Sequence, residues 1–486
     1  MTKTLVVLSL LAVTTLASGQ SNSPLPKSPV STGVLMARAV RAGKVQLRGS
    51  VLSDIAPPLT CSPAPCALPN QNASKSSVLA NETPVVVNPL NSQQILTGAN
   101  DYACANVQGF YASSDGGTTW KRTCLNALAG DFGEGDPGVA YDLNGKAYIT
   151  GIDANHGIVM ETSTDNGTTW SPVKLAVGPY FSGGLTDKPW LEIDTNRTSP
   201  RANAIYISVT QFDSSETNIV PTVSHSTDGG TTWVTKQVDT TQVYPNVDQF
   251  SDLAIGRDGT VYVSWMRCTA NGPSGDCGGT ISTMYWAKST DGGNTWTSPA
   301  KITTAKLAPD PGFCCFYGSL PNTSERVSNI PAIAIDNYGS HPGNLYVTYY
   351  NWTGSQMKAY VAVSTDGGAT WSAKAVAPAT ATNDQFFPWV NVSRNGVVGV
   401  SWMDRRDDPA NINYEAFSAV SVNGGASYGT NLKLSAAASD PFNDGFGGFF
   451  IGDYTGNAWA GTKLYVVYTD TTTGIDQDFL TGEKVR

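Results

Sequence analysis

Ser113-Ser114-Asp115-Gly116-Gly117-Thr118-Thr119-Trp120 decides the architecture, because the same phrase returns along the chain. It reappears as Ser163-Thr164-Asp165-Asn166-Gly167-Thr168-Thr169-Trp170, from Ser226 to Trp233, from Ser289 to Trp296 and from Ser364 to Trp371. A decayed copy, Ser421-Val422-Asn423-Gly424-Gly425-Ala426-Ser427-Tyr428, keeps the shape. Each copy follows an alternating run such as Gly109 to Ser113, Met284 to Ser289 or Tyr360 to Ser364, and precedes another short run. The phrase therefore sits on a hairpin turn. Asp accepts hydrogen bonds from turn amides, Gly permits positive φ, and Trp packs back between neighbouring sheets. Asp115, Asp165, Asp228, Asp291 and Asp366 are accordingly expected to be structural.

A second recurrence lies upstream of these turns. Pro137 to Asp142, the turn Leu143-Asn144-Gly145 and Lys146 to Thr150 read as strand, turn and strand. Echoes run from Pro189 to Asp194 with Ala204 to Ser208, from Leu253 to Trp265, from Pro331 to Asp336 with Leu345 to Thr348, and from Pro388 to Trp402. An earlier version begins at Pro84, and a last one joins Phe450 to Tyr454 with Leu464 to Tyr468. A four-stranded antiparallel unit of about 50–70 residues, repeated radially, is a propeller blade. The expected fold is all-β, one closed β-propeller; counting inner strands yields seven blades, with six as the alternative. The last blade lacks the Asp phrase, and its fourth strand is expected from the N-terminal arm, at Val45 to Val51.

Composition agrees. The 486 residues include 49 Gly, 28 Pro and 12 Trp, and only 14% are charged, where soluble domains run nearer a quarter. A formal charge of -9 excludes a nucleic-acid binder as the default, and three His argue against a His-rich metal site. Residues 1–19 read as a signal peptide: Lys3, an apolar run from Leu5 to Leu16, then Ala17-Ser18-Gly19. Residues 20–80 read as a Ser/Pro-rich arm or linker, and 81–486 as the propeller. Eight Cys fit an oxidising compartment. Cys61 with Cys66, Cys104 with Cys124 and Cys268 with Cys277 are the expected local disulfides, while Cys314 and Cys315 either pair with each other or elsewhere.

The turn phrase resembles the Asp-box (BNR) repeat of the sialidase-like propeller superfamily, over about residues 80–486. Trp402-Met403-Asp404-Arg405-Arg406-Asp407-Asp408-Pro409 and Phe450-Ile451-Gly452-Asp453-Tyr454 look like signatures of secreted bacterial BNR-repeat, exo-sialidase-like proteins. The resemblance implies a propeller and a carbohydrate-directed role. The box is specific for fold and unspecific for activity.

Strand parity locates a candidate site. In a four-stranded meander the turns joining strands one to two and three to four share one face, which places the Asp boxes there. The other face collects the longer, irregular loops. It is expected to carry aromatic residues including Tyr180, Tyr244, Phe313, Tyr317, Phe386 and Phe442, beside acids and Arg. Rings pack on apolar sugar faces while charged groups bond hydroxyls, so the mixture suits glycan recognition. A glycosidase needs two separated carboxyl groups, or a Tyr nucleophile as in sialidases. Asp136, Asp248, Glu134 and Tyr454 are the catalytic candidates; Arg326, Arg405, Asp384, Phe386 and Tyr317 are the substrate-binding candidates. For each acid alone, loop bracing is the competing role.

Sialidases of this fold place an Arg-Ile-Pro phrase at the first inner strand. Here Thr83, Asp136, Lys188, Ile330 and Phe387 precede the aligned prolines, and Asn329-Ile330-Pro331 has Asn where Arg would stand. Arg267, Arg326, Arg405 and Arg406 lie on successive blades that the ring could bring together, outside the family's contexts. Sialic-acid cleavage is therefore not expected. No Gly-x-Ser-x-Gly elbow appears, which excludes a serine hydrolase of that kind. The expectation is a secreted or periplasmic monomer acting on or recognising extracellular glycans. The alternative is a noncatalytic glycan- or protein-binding propeller. No cofactor or membrane span is expected, and structural Ca2+ would lack an EF-hand spacing.

Overall fold

Burial on both faces explains why inner strands such as Gly138–Tyr141 are apolar along their length. The computed structural model describes residues 27–49, 59–310 and 315–486. The signal peptide, Phe313 and Cys314 lie outside those residues. The seven inner strands are Val85–Val87, Gly138–Tyr141, Leu185–Ile193, Asn246–Ile255, Ile333–Ile335, Gln385–Val392 and Gly456–Ala460. Each begins an antiparallel meander, and each packs beside the next around a closed ring. These are blades 1 to 7. The expected propeller is present, with seven blades. Outer strands such as Lys121–Cys124 and Ser372–Ala375 meet solvent and are correspondingly polar.

All six Asp-box turns join the third and fourth strands of blades 1 to 6. In blade 3 the Asp228 carboxylate accepts from Thr232 N at 2.9 Å, from Thr232 Oγ1 at 2.7 Å and from Ser226 Oγ at 2.8 Å. Ser226 Oγ in turn accepts from Gly230 N at 2.9 Å. In the decayed copy Asn423 keeps the main bond, from Ser427 N at 3.0 Å. The glycine is needed for closeness as well as for φ. A Cβ on Gly368 (φ 93°) would lie 2.0 Å from the indole of Trp286 in the preceding blade. The five boxes are structural, with their carboxylates consumed inside the turn.

The ring closes differently from expectation. The last strand, Gln477–Lys484, pairs with Cys66–Ala67 and Gln71–Asn72. Val45, assigned to that role from its alternation, instead packs with Met36, Leu79, Phe446 and Phe450, and Val51 lies outside the described residues. Leu68 N donates to Gly482 O at 2.7 Å and Ala73 N to Asp478 O at 2.8 Å. Asn70 continues across to blade 6, donating to Leu434 O and accepting from Ala436 N. The three expected disulfides, Cys61–Cys66, Cys104–Cys124 and Cys268–Cys277, are all formed. The pairing of Cys314 lies outside the described residues.

The arm also contains an element that composition did not suggest. Thr32–Arg41 is an α-helix capped by Ser31, whose Oγ accepts from Val34 N. Its Val34 and Leu35 join the main core, and Arg38 and Arg41 complement the negative C-terminal end. The helix lies on the loop-bearing face, over the axis.

Candidate functional site

Inner strands enter the loop-bearing face through a repeated bulge. The register slips between Asp187 and Trp190 in blade 3, Gln249 and Asp252 in blade 4, and Phe386 and Trp389 in blade 6. At each slip one residue turns left-handed: Lys188 (φ 50°), Phe250 (64°) and Phe387 (47°). Glu82 (63°) and Asp136 (54°) do the same at the entries of blades 1 and 2. Such backbone costs on the order of 1–3 kcal/mol per residue. The bulges aim side chains at the channel mouth that a regular strand would turn into the sheet. Blade 5 solves the same position differently. Asn329 Nδ2 donates to Tyr350 O at 2.8 Å while its Oδ1 accepts from Tyr350 N at 2.9 Å. The residue standing where a sialidase would place Arg imitates a strand neighbour.

Six charged side chains converge at the mouth: Glu82, Asp136, Asp187, Lys188, Arg326 and Asp453, each under 5% exposed. Asn100 ties two of them, donating to Glu82 Oε2 at 2.8 Å and accepting from Asp136 N at 2.7 Å. Asp136 Oδ2 accepts from Lys188 N at 3.0 Å, and Arg326 Nη2 reaches Asp453 Oδ2 at 3.3 Å. Burial, then the charge of Asp187, raises Asp136 to about 7. Burial, then Asp136 and Asp453, holds Glu82 well above the ordinary range. Burial lowers Lys188 against the pull of these acids. Lys188 Nζ makes no hydrogen bond and lies 4.0 Å from the Tyr454 ring centre and 4.5 Å from that of Trp190. Beneath it Trp190, Trp389 and Tyr454 pack with ring centres 4.6–6.2 Å apart and close the channel. The channel below, about 270 Å³, is lined at its far end by Asn196, Tyr338 and Arg394, so it opens on the Asp-box face.

The candidates divide sharply. Asp136 and Tyr454 belong to this centre, together with Arg326 and Tyr317. Glu134 lies at its edge, paired with Arg38 of the arm helix at 2.7 Å. The Tyr454 hydroxyl donates to Pro137 O at 3.3 Å, and burial, then Glu82, pushes its pKa well up, which does not suit a nucleophile. Asp248 is elsewhere, gripped by Arg267 Nε at 2.6 Å and Nη2 at 2.7 Å. Arg405 is fully buried, bonding Pro321 O and Asn411 O beside Asp384, and Phe386 packs on Phe387 and Tyr414. These four brace the scaffold. The four Arg do not converge, since Arg267, Arg405 and Arg406 are each bound to a local acid. Glu82 carries no signal in the sequence, because its strand entry, Glu82-Thr83-Pro84, looks like loop until the ring sets it against Asp136. Among the described residues, Tyr180, Tyr244 and Phe442 are exposed rings of the face.

Residues 362–373 match the BNR/Asp-box repeat family model, on the blade 5 copy of the turn phrase. The chain is a seven-bladed Asp-box propeller. No match is found among curated protein sequences. Among solved structures, it is similar to the alpha-L-arabinofuranosidase of Fusarium graminearum, at 13% identity and TM-score 0.44, over 71% of this chain and 91% of that one. A Hadza microbial sialidase is similar at 13% and 0.45, over 80% and 73%. The Aleuria aurantia lectin follows at 11% and 0.39, over 69% and 88%. None of them lends a residue role to this propeller.

Among the described residues of the Asp-box propeller, one group has metal-ligand character. Asp131, Asp153 and His156 bring ligand atoms within 4.8 Å of one another. His156 Nδ1 lies 2.8 Å from Asp131 Oδ2 and 2.9 Å from Asp153 Oδ1, so hydrogen bonds within the group account for it. No described helix is long and apolar enough to cross a membrane.

The buried acids set the propeller's response to pH. Burial raises Asp136 and Asp252 to about 7 and Asp248 to about 6, against about 4 in an unfolded chain. Between those values the native state keeps protons that the unfolded state has released, so stability falls as pH rises. On the acid side, turn hydrogen bonds hold Asp115, Asp165 and Asp366 at about 2, a contribution lost as pH drops below about 4. Thermal melts should peak in the mildly acidic range and decline by a few degrees from pH 5 to pH 8. A melting temperature that climbs over that interval would contradict the assignment.

Proposed function

We propose that this propeller is a secreted, carbohydrate-directed protein that works through the centre of its loop-bearing face. The observation that carries this is the buried polar cluster at the channel mouth. Buried carboxyls, one cation free of hydrogen bonds and the Tyr317 and Tyr454 rings occupy one spot, held there by strained backbone. A carboxyl raised by burial can serve as an acid, and oxygen-rich clusters beside rings fit sugar hydroxyls. Asp136, raised by burial to about 7, is the group suited to donate a proton to a glycosidic oxygen. The three disulfides support an oxidising, extracellular destination.

Noncatalytic recognition is the second reading, favoured by one observation: the arm lies across this mouth, and Asp136 is fully buried beneath it. A glycan panel scored for both binding and reducing-end release separates the two. Release lost in Asp136→Asn with binding retained supports a glycoside hydrolase. Binding without release across the panel leaves a recognition propeller. If neither occurs, with the arm docked or loosened, the carbohydrate reading is wrong.

A further inference from the structure

The arm meets the acidic mouth with hydrogen-bond donors. Ser31 N donates to Asp187 Oδ2 at 2.6 Å and Thr32 N to Asp453 Oδ2 at 3.2 Å. Ser31 Oγ lies 3.5 Å from Asp136 Oδ2. The two residues before them present carbonyls to the surrounding donors. Pro29 O accepts from Tyr317 OH at 2.5 Å and from Gln249 Nε2 at 3.1 Å, and Val30 O accepts from Arg326 Nη1 at 3.4 Å. Gly33 seats against the cluster so closely that a Cβ would lie 2.9 Å from Asp136 Oδ1 and 3.0 Å from Glu82 Oε1. Farther along, Arg38 clamps Glu134.

Yet the fit is incomplete. Lys188 Nζ, Asp453 Oδ1 and Arg326 Nε, all on residues at least nine-tenths buried, find no hydrogen-bond partner under the arm. Leaving such groups unpaired in a buried space is unfavourable.

We infer that residues 27–41 are a built-in occupant of the glycan site, and that the ligand they stand in for is a neutral or amino sugar rather than an acidic one. This rests on the carbohydrate reading above. The charge argument is direct. With the arm lifted, Asp187 Oδ2 and Asp453 Oδ2 lose the N–H donors that faced them. A ligand must replace the two N–H donors and the carbonyl acceptors of the arm, which sugar hydroxyls do and amino groups do in part. A sugar carboxylate would meet Asp187 and Asp453 directly, where like charges at short range are strongly unfavourable.

The test uses the full-length chain and a Gly33→Leu variant, in which the added side chain collides with Asn100, Asp136 and Glu82 while Leu preserves helix propensity. Arg38→Ala, which removes the Glu134 clamp, is the second variant. Hydrogen exchange at Ser31 and Thr32 reports arm release, and near-ultraviolet circular dichroism reports an intact propeller. Cellotriose, xylotriose, glucosamine trimer, sialyllactose and trigalacturonic acid are titrated calorimetrically. A docked fraction of 90% or more masks affinity at least about tenfold. Release should therefore tighten neutral or amino-sugar binding by about that factor or more, with no gain for the two acidic sugars. Equal binding by wild type and released variants keeps the carbohydrate reading and overturns the occupant. A gain confined to the acidic sugars overturns the ligand class. Released arms with no sugar bound by any form overturn the carbohydrate reading itself.

Discussion

Proline at both Leu68 and Ala73 is expected to unfasten the ring. These residues supply main-chain donors to the last strand, at Gly482 O and Asp478 O, and proline supplies none. Leu68 also packs against Ile95, Tyr465 and Leu480 across the closure. Two lost ladder bonds, two misfitted rings and a truncated contact together cost on the order of 5 kcal/mol. That is comparable with the whole stability margin of a typical domain, about 5–15 kcal/mol. The seventh blade would then present Gln477–Lys484 as an open edge, a template for aggregation. Urea unfolding should show an early transition, with exchange protection lost first in that strand. Leu47→Pro, in the segment whose alternation imitates a closing strand, should cost less than about 1 kcal/mol. If Leu47→Pro proved the more damaging, the closure at 66–72 would be wrong.

Arg405→Ala should be the most damaging single substitution on the loop-bearing side. Arg405 is fully buried, donating to Pro321 O at 2.8 Å and to Asn411 O at 3.2 Å, with Asp384 at 3.5 Å. Asp384 is itself pledged to Met357 N and Asn411 Nδ2. Burial raises the pKa of Asp384 and also that of nearby Glu325, whose carboxyl oxygens have no hydrogen-bond partner. Arg405 is the cation that offsets both. Removing one partner of a buried pair costs about 3–5 kcal/mol, because the remaining charge is left uncompensated. Combining Arg405→Met with Asp384→Asn should return part of the loss, since a neutral pair of similar volume removes one of the two acids left without their cation. A double variant no more stable than Arg405→Ala would show that the carbonyl bonds, not the ion pair, carry the effect. The urea midpoint distinguishes these outcomes.

Much of the architecture was legible before any coordinates. The Asp-box phrase carries its own turn chemistry within eight residues, so Asp115 through Asp366 could be assigned to third-to-fourth-strand turns from local spacing alone. Seven inner strands could be counted for the same reason, as could three disulfides closing short loops. The helix Thr32–Arg41 was not legible. Its apolar residues do not announce a surface helix, because the helix is buried over the axis and covered from several blades. The closing strand was misplaced because alternation at Val45 to Val51 is a generic signal, whereas pairing with Gln477–Lys484 depends on residues hundreds of positions away.

For the site, the chain determined which residue types stand at the strand entries, including Asp136, Lys188 and Asp453, and it ruled out the arginines a sialidase would need there. Only the tertiary structure decided that Glu82, Asp136, Asp187 and Asp453 share one buried space, that Asp248 and Arg405 belong to the scaffold, and that the protein's own arm fills the mouth. The physical reason is range. Turn chemistry and strand alternation act between neighbours in sequence. The burial and mutual charge that set ionisation act between neighbours in space, and a closed ring places the first blade against the last.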